Sequence, residues 1–200
     1  SEVHALGALR SLGVRPPHGR GAWRALLIGQ IGTQLRHLLL GPHRTPRKDA
    51  RAERIRAQAG SLLSQRYFYR EDLLAMASRP LLSINAAERS GAAAQIPGSY
   101  TTMGGIVGLL RAGRVSARYF AHARQAAARA HAVGEEAMAL GTEAVVHASL
   151  GRWTRARELA TQLETAWLPR LTDPMIRAHV VLLACHVSYH TGHDDDASRH

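Results

Sequence analysis

An all-α fold, built as an α-α superhelix of antiparallel helix pairs, is what this 200-residue sequence predicts. Aromatic residues make up only 5% of the chain, and alanine supplies much of its 46% apolar fraction. Alanine is the strongest helix former, while strands want the β-branched and aromatic side chains that are scarce here. Two further features agree with this. Apolar residues recur at three- and four-residue spacing, and a unit of helix, tight turn, helix and looser loop returns about every 40 residues, a repeat signature.

Residues 1–20 read as the end of a preceding helix, over 2–12, closed by Gly13 and a loop at Pro16-Pro17. Residues 21–200 read as the helical-repeat domain, about four helix pairs with the last one truncated. The first helix of that domain carries Trp23, Leu26, Leu27, Ile31, Leu35, Leu38 and Leu39 on one stripe. Such a stripe is expected to be buried against a neighbouring helix. Gly41 and Pro42 stop it. An arginine-rich helix follows from about Lys48 to Tyr69, with Asp49 and Glu53 in its first turns to complement the helix dipole.

The rhythm begins there. Tight turns are expected at 70–72, 112–114, 151–153 and 192–194, and an alanine comes five residues after the start of each: Ala75, Ala117, Ala156 and Ala197. Gly151 and Gly192 supply the unusual dihedrals that a tight turn needs, with Trp153 opening the helix after Gly151. Each alanine is expected where the two helices of a pair come closest, since a larger side chain would force the axes apart. The looser loops fall at Ser90–Gly98, around Gly134 and at Leu168–Pro174. Pro80, inside a helix, is expected to kink or restart it. Gly104, Gly105 and Gly108 are expected to let a neighbouring helix lie close.

Composition narrows the function classes. The formal charge of +11 is concentrated in residues 1–70, which hold 13 basic groups against three acids, Glu2, Asp49 and Glu53. Such a surface can attract nucleic acid or an anionic membrane, or it can be a solvated face or meet an acidic neighbouring domain. Cys185 is the sole cysteine, so no disulfide can form within the chain. The stretch from Trp23 to Leu40 is broken by Arg24, Gln30, Gln34, Arg36 and His37, whereas a bilayer span needs about 20 nearly uncharged apolar residues. A cytoplasmic location without a membrane span is expected. The chain reads as an excerpt of something longer.

A phosphate loop requires Gly-Lys-Ser/Thr, but the only lysine, Lys48, stands between Arg47 and Asp49. The pattern contains no Gly-x-Ser-x-Gly and no His-Glu-x-x-His. Glu135-Glu136 fits a helix start without any catalytic role. His186 and His190, four apart on one helix face, could clamp a metal with His193 and one of Asp194–Asp196, near Cys185. The helix dipole alone favours the same residues. No catalytic residue, metal or cofactor is therefore expected in this segment.

The stretches LLSINAAERSG (81–91) and SYTTMGGIVGLLRAGRVSARYFAHA (99–123) resemble tetratricopeptide-like helical repeats of large bacterial signalling proteins. HALGALRSLGVRPP (4–17) is similar to the helix end and proline loop that precede their first long helix. In that group the repeats follow an ATPase module of the AAA/STAND type, often fused to an adenylate or guanylate cyclase or a serine/threonine kinase domain. Gly151, Trp153, Ala156 and Ala160 match the tetratricopeptide turn and second helix best. Elsewhere the 34-residue spacing is stretched, and Arg70 and Ala112 replace the turn glycine. The resemblance implies a non-catalytic regulatory scaffold within an ATP-dependent signalling protein, binding a protein, a peptide or neighbouring domains of the same polypeptide. Tyr67, Met138, His186 and Tyr189 are the candidate partner-binding residues from their place in the repeat. The alternative is a nucleic-acid-binding helical array using the basic first third, around Arg44 to Arg56.

Overall fold

A computed structural model describes residues 2–14, 17–40, 47–68, 73–91, 96–190 and 192. The described residues are overwhelmingly helical and include no strand, so the chain is all-α. Ala197, His193 and Asp194–Asp196 lie outside them, as does the predicted turn at 70–72. Contacts divide the chain into two units, Ser1–Ser99 and Tyr100–His200.

The first unit holds α1 (Glu2–Ser11), α2 (Gly19–Leu40), α3 (Arg47–Phe68) and α4 (Leu73–Ser90). Both α2 and α3 pack on α4, and α1 packs on α3. Every residue from Ser78 to Ala87 is buried, so α4 is the central helix. It runs without interruption through Pro80 and does not restart there. Gly60 lets α3 come close: a Cβ there would lie 3.2 Å from the Arg79 carbonyl oxygen and from Ser83. Ala5 and Leu9 of α1 share a small core with Ala59 and Leu63 of α3.

Polar groups fill much of the rest of this unit. The Ser83 hydroxyl donates to the Ala57 carbonyl at 2.8 Å. Buried Glu53 accepts from Arg56 and from Arg89, the latter at 2.9 Å. Arg56 also reaches back to the Leu12 carbonyl at 3.0 Å, tying the end of α1 to α3. A carboxylate removed from water needs this kind of double pairing, because an unpartnered charge there would be costly.

The apolar stripe expected to bury α2 does so only in part: Trp23, Leu26 and Leu27 are half-buried, with the Arg79 guanidinium of α4 over the Trp23 ring at 5.0 Å. Gln34 and His37 are the buried residues, at 3% and 6% exposure, while Ile31, Leu35 and Leu39 face solvent. The reason lies on α4. Glu88 accepts from the His37 ring at 2.6 Å, and Asn85 donates to the Gln30 backbone carbonyl at 3.0 Å and side-chain oxygen at 2.8 Å. Helix α2 therefore docks through a mixed face, on which Gln30, Gln34 and His37 stand among Trp23, Leu26 and Leu27.

The boundary between the units falls inside α5 (Ile96–Leu109). The second unit continues with α6 (Gly113–Arg129), α7 (Val133–Ser149), α8 (Trp153–Gln162) and α9 (Pro174–His190). Helix α7 is its centre, packing on α6, α8 and α9. A π-helical turn over Leu163–Trp167 and a 3-10 turn over Leu168–Arg170 extend α8 into the predicted loop before Pro174. The main core joins Leu140, Ala144 and Ala148 of α7 with Ala156, Leu159 and Ala160 of α8 and Val180, Ala184 and Val187 of α9.

Helices α6, α7 and α8 begin twenty residues apart, and each follows a residue in the left-handed region: Arg111 (φ 63°), His131 (φ 52°) and Gly151 (φ 71°). The same pair of bonds closes each preceding helix. Arg111 and Ala112 donate to the carbonyls of Gly108 and Val107, His131 and Ala132 to those of Ala128 and Ala127, and Gly151 and Arg152 to those of Ala148 and His147. This is the Schellman closure, which satisfies carbonyls that a helix end would otherwise leave free.

Two expectations are corrected by these turns. Around Gly134 the chain makes a tight turn at His131, not a looser loop, and Gly134 lies inside α7 with its Cβ position 2.7 Å from Ile176. Ala117, expected at the closest approach of a pair, faces solvent. Ser116, which stands five residues after Arg111 as Ala156 stands after Gly151, is buried instead, and its hydroxyl donates to the Gly104 carbonyl at 2.8 Å. Ala156 is fully buried as expected. The glycines of α5 also behave as expected: a Cβ at Gly104 would meet the Phe120 ring of α6 at 2.9 Å, and one at Gly108 would meet Val146 of α7 at 2.5 Å.

Candidate partner-binding surface

Helix α9 shows how a buried and an exposed seam share one element. Asp173 opens it: its carboxylate accepts from the backbone of Met175 at 2.8 Å and Ile176 at 3.3 Å, with Pro174 at the first helical position. Val180, Ala184 and Val187 then enter the core, and Leu183 lies over Gly141, whose Cβ position is 2.8 Å from it. The opposite side keeps large side chains in water. Met175, Leu182 and Tyr189 are 68%, 66% and 68% exposed.

Seven residues are nearly two turns, so these three side chains stand in one line along the helix. His179 and His186 are exposed beside them. The His186 and His190 rings meet edge-on at 4.4 Å, and the Tyr189 ring meets His190 at 5.4 Å. Partial burial and the neighbouring His190 lower the His186 pKa, which keeps that imidazole neutral around pH 7. The seam thus combines the exposed apolar side chains of Met175 and Leu182 with the aromatic rings of Tyr189 and His186.

The four residues expected to meet a partner are placed differently from one another. His186 and Tyr189 lie on this exposed face. Met138 is half-buried and packs against the main core, so its side chain is chiefly structural. Tyr67 is on α3, with its side chain outside the described residues. Of the repeat positions, Trp153 is partly exposed at the start of α8, Gly192 takes φ 74° after α9, and Ala75 lies in α4 with its side chain outside the described residues. Met175 and Leu182 were not singled out from the sequence. Their seven-residue spacing with Tyr189 was the available signal.

A second feature is a crevice of about 100 Å³ lined by Ser116, Phe120, Glu143, His147 and Arg152 among others. Glu143 is buried and paired with Arg124, and the Ser116 hydroxyl is already committed to Gly104. The Nδ1 atom of His147 is buried without a hydrogen-bond partner. Desolvation lowers its pKa, opposed by Glu143 and reinforced by Arg152 and Arg155.

Among the described residues, no group of three or more His, Cys, Asp or Glu side chains is arranged to hold a metal ion. His193 and Asp194–Asp196, which would complete the shell around His186 and His190, lie outside them. No helix among the described residues is long and apolar enough to cross a membrane. No family model, curated protein or solved structure matches the chain.

Proposed function

We propose that this segment is a non-catalytic scaffold, a tetratricopeptide-like array of helix pairs that engages a protein, a peptide or a neighbouring domain of its own polypeptide. On this reading it belongs to a cytoplasmic, ATP-dependent signalling protein and regulates an attached ATPase with a cyclase or kinase output. The observation that carries the interaction role is the outer seam of α9. Three large side chains stand about two-thirds exposed in one line on a helix whose other face is fully packed. Isolated exposed apolar residues are ordinary, but a linear series of them marks a contact surface. The turns support the scaffold reading, since α6, α7 and α8 repeat on a twenty-residue frame with the same closure.

The test is a photo-crosslinking side chain at Leu182 in the full polypeptide, with products identified by mass spectrometry. A defined partner protein or domain is expected. Leu182→Glu, measured separately against that species, should weaken binding at least about tenfold, since it buries a charge in the seam. Products that stay unchanged when the crosslinker is moved to an unrelated exposed site such as Arg129 would refute the assignment.

A further inference from the structure

The outer face of α2 is the largest feature that the scaffold reading leaves unused. Ile28 is 70% exposed, Leu35 54% and Leu39 82%, with Ile31 exposed between them. At 100° per residue these four fall within one narrow arc, opposite the arc of Gln30, Gln34 and His37 that docks on α4. The docked arc carries half-buried Trp23, Leu26 and Leu27 as well, so the exposed aliphatic arc is a second apolar face of the same helix. The hydrogen bonds from Asn85 and Glu88 hold the docked face inward, so the exposed aliphatic face cannot be buried by rotating the helix without breaking them.

Charge identifies what fits this face. Helix α2 contains Arg20, Arg24 and Arg36 and no acidic residue. All three arginines are exposed, and so are Arg51 and Arg54 on α3. Of the three acids in residues 1–70, Glu53 is buried and paired with Arg56 and Arg89. Arg24 lies at the amino-terminal end of the aliphatic arc, with Arg20 and Arg36 to either side of it. A helix with an aliphatic face bordered by arginines matches a bilayer surface, where side chains enter the acyl boundary and guanidinium groups stay with anionic headgroups.

We propose that α2 is a peripheral membrane-binding element that lays Ile28, Ile31, Leu35 and Leu39 into the surface of a bilayer rich in anionic lipid. Binding here means lying on the membrane, since no helix among the described residues is long and apolar enough to cross it. The proposal is independent of the α9 seam.

The experiment is co-sedimentation of the whole chain with vesicles of 70% phosphatidylcholine and 30% phosphatidylserine, and with pure phosphatidylcholine. Binding to the anionic vesicles is expected to be at least about tenfold tighter, and to weaken as salt screens the arginines. A basic protein can adhere by charge alone, so the deciding variants leave charge untouched. Ile31→Ser and Leu35→Gln, singly and together, are surface changes whose folding is checked by circular dichroism. The double variant is expected to lose at least about tenfold in affinity, because partition depends on buried apolar area. Arg20→Gln with Arg24→Gln should lose a comparable amount on anionic vesicles and little on neutral ones. Retained binding in Ile31→Ser/Leu35→Gln, or absence of the parent chain from the anionic pellet, would overturn the proposal. So would light scattering that showed the chain dimerising through this face, with the double variant monomeric.

Discussion

At the level of single residues, the turns of the second unit hold an unevenly shared strain. Arg111, His131 and Gly151 occupy equivalent left-handed positions, but only glycine does so without steric cost. An L-residue there costs about 1–2 kcal/mol, and replacing it with glycine gives back about 0.4–1 kcal/mol through a more flexible unfolded chain. Arg111→Gly should therefore raise stability by up to about 1 kcal/mol, read as a higher thermal midpoint. Gly151→Ala should lower it by about 1 kcal/mol, with the near-empty space around Gly151 ruling out a clash as the cause. Equal midpoints for all three proteins would mean that these turns are not closed as described. The same residues explain one misreading. A glycine in the left-handed position can be seen in a sequence, as at Gly151, but an arginine or histidine there looks like any other. Counting from Ala112 instead of Arg111 put the small buried position at Ala117 when Ser116 fills it.

Between elements, packing depends on where a Cβ is missing. The legible part was the run Gly104, Gly105 and Gly108, because three glycines inside a helix are costly unless something lies against them. Gly108 is the most constrained: an added Cβ would be 2.5 Å from Val146 Cγ1 and 2.9 Å from Ser116 Oγ. Valine is stiff at χ1 and cannot swing away. Overpacking of this kind costs about 1–3 kcal/mol, against about 1 kcal/mol gained in helix propensity. Gly108→Ala should thus destabilise by up to about 2 kcal/mol in chemical denaturation. Gly134→Ala is the contrast, since its nearest neighbour is the mobile Cδ1 of Ile176, with the stiffer Cγ2 at 3.1 Å, and it should cost less than Gly108→Ala. Two variants of equal stability would indicate that α5 and α7 are farther apart than described. What the pattern could not reveal was the orientation of α2. Hydrophobic periodicity finds a stripe but not the side it faces, and here hydrogen bonds from Asn85 and Glu88, some fifty residues away, decide the matter.

At the scale of the whole chain, the two units differ in what holds them together. The second draws its main core from α7, α8, the turns that follow α8, and α9, with Leu159, Leu163, Val180 and Val187 almost wholly excluded from water. Among the described residues, the first combines small apolar clusters with the ion pairs of buried Glu53 and the hydrogen bond between His37 and Glu88. Burial of aliphatic side chains contributes about 1.5–3 kcal/mol each, whereas a buried ion pair is close to neutral once its desolvation is counted. A polypeptide of residues 96–192, which keeps α5 intact, should therefore fold by itself, with strongly helical circular dichroism and one cooperative thermal transition. Residues 2–91 by themselves should melt at lower temperature. A non-cooperative melt of 96–192, or a first unit more heat-resistant than the second, would show that the aliphatic core of α7 to α9 is not the principal source of stability. Placing function on α9 and α2 is consistent with this division, because exposed apolar seams require a folded support behind them that holds without the partner.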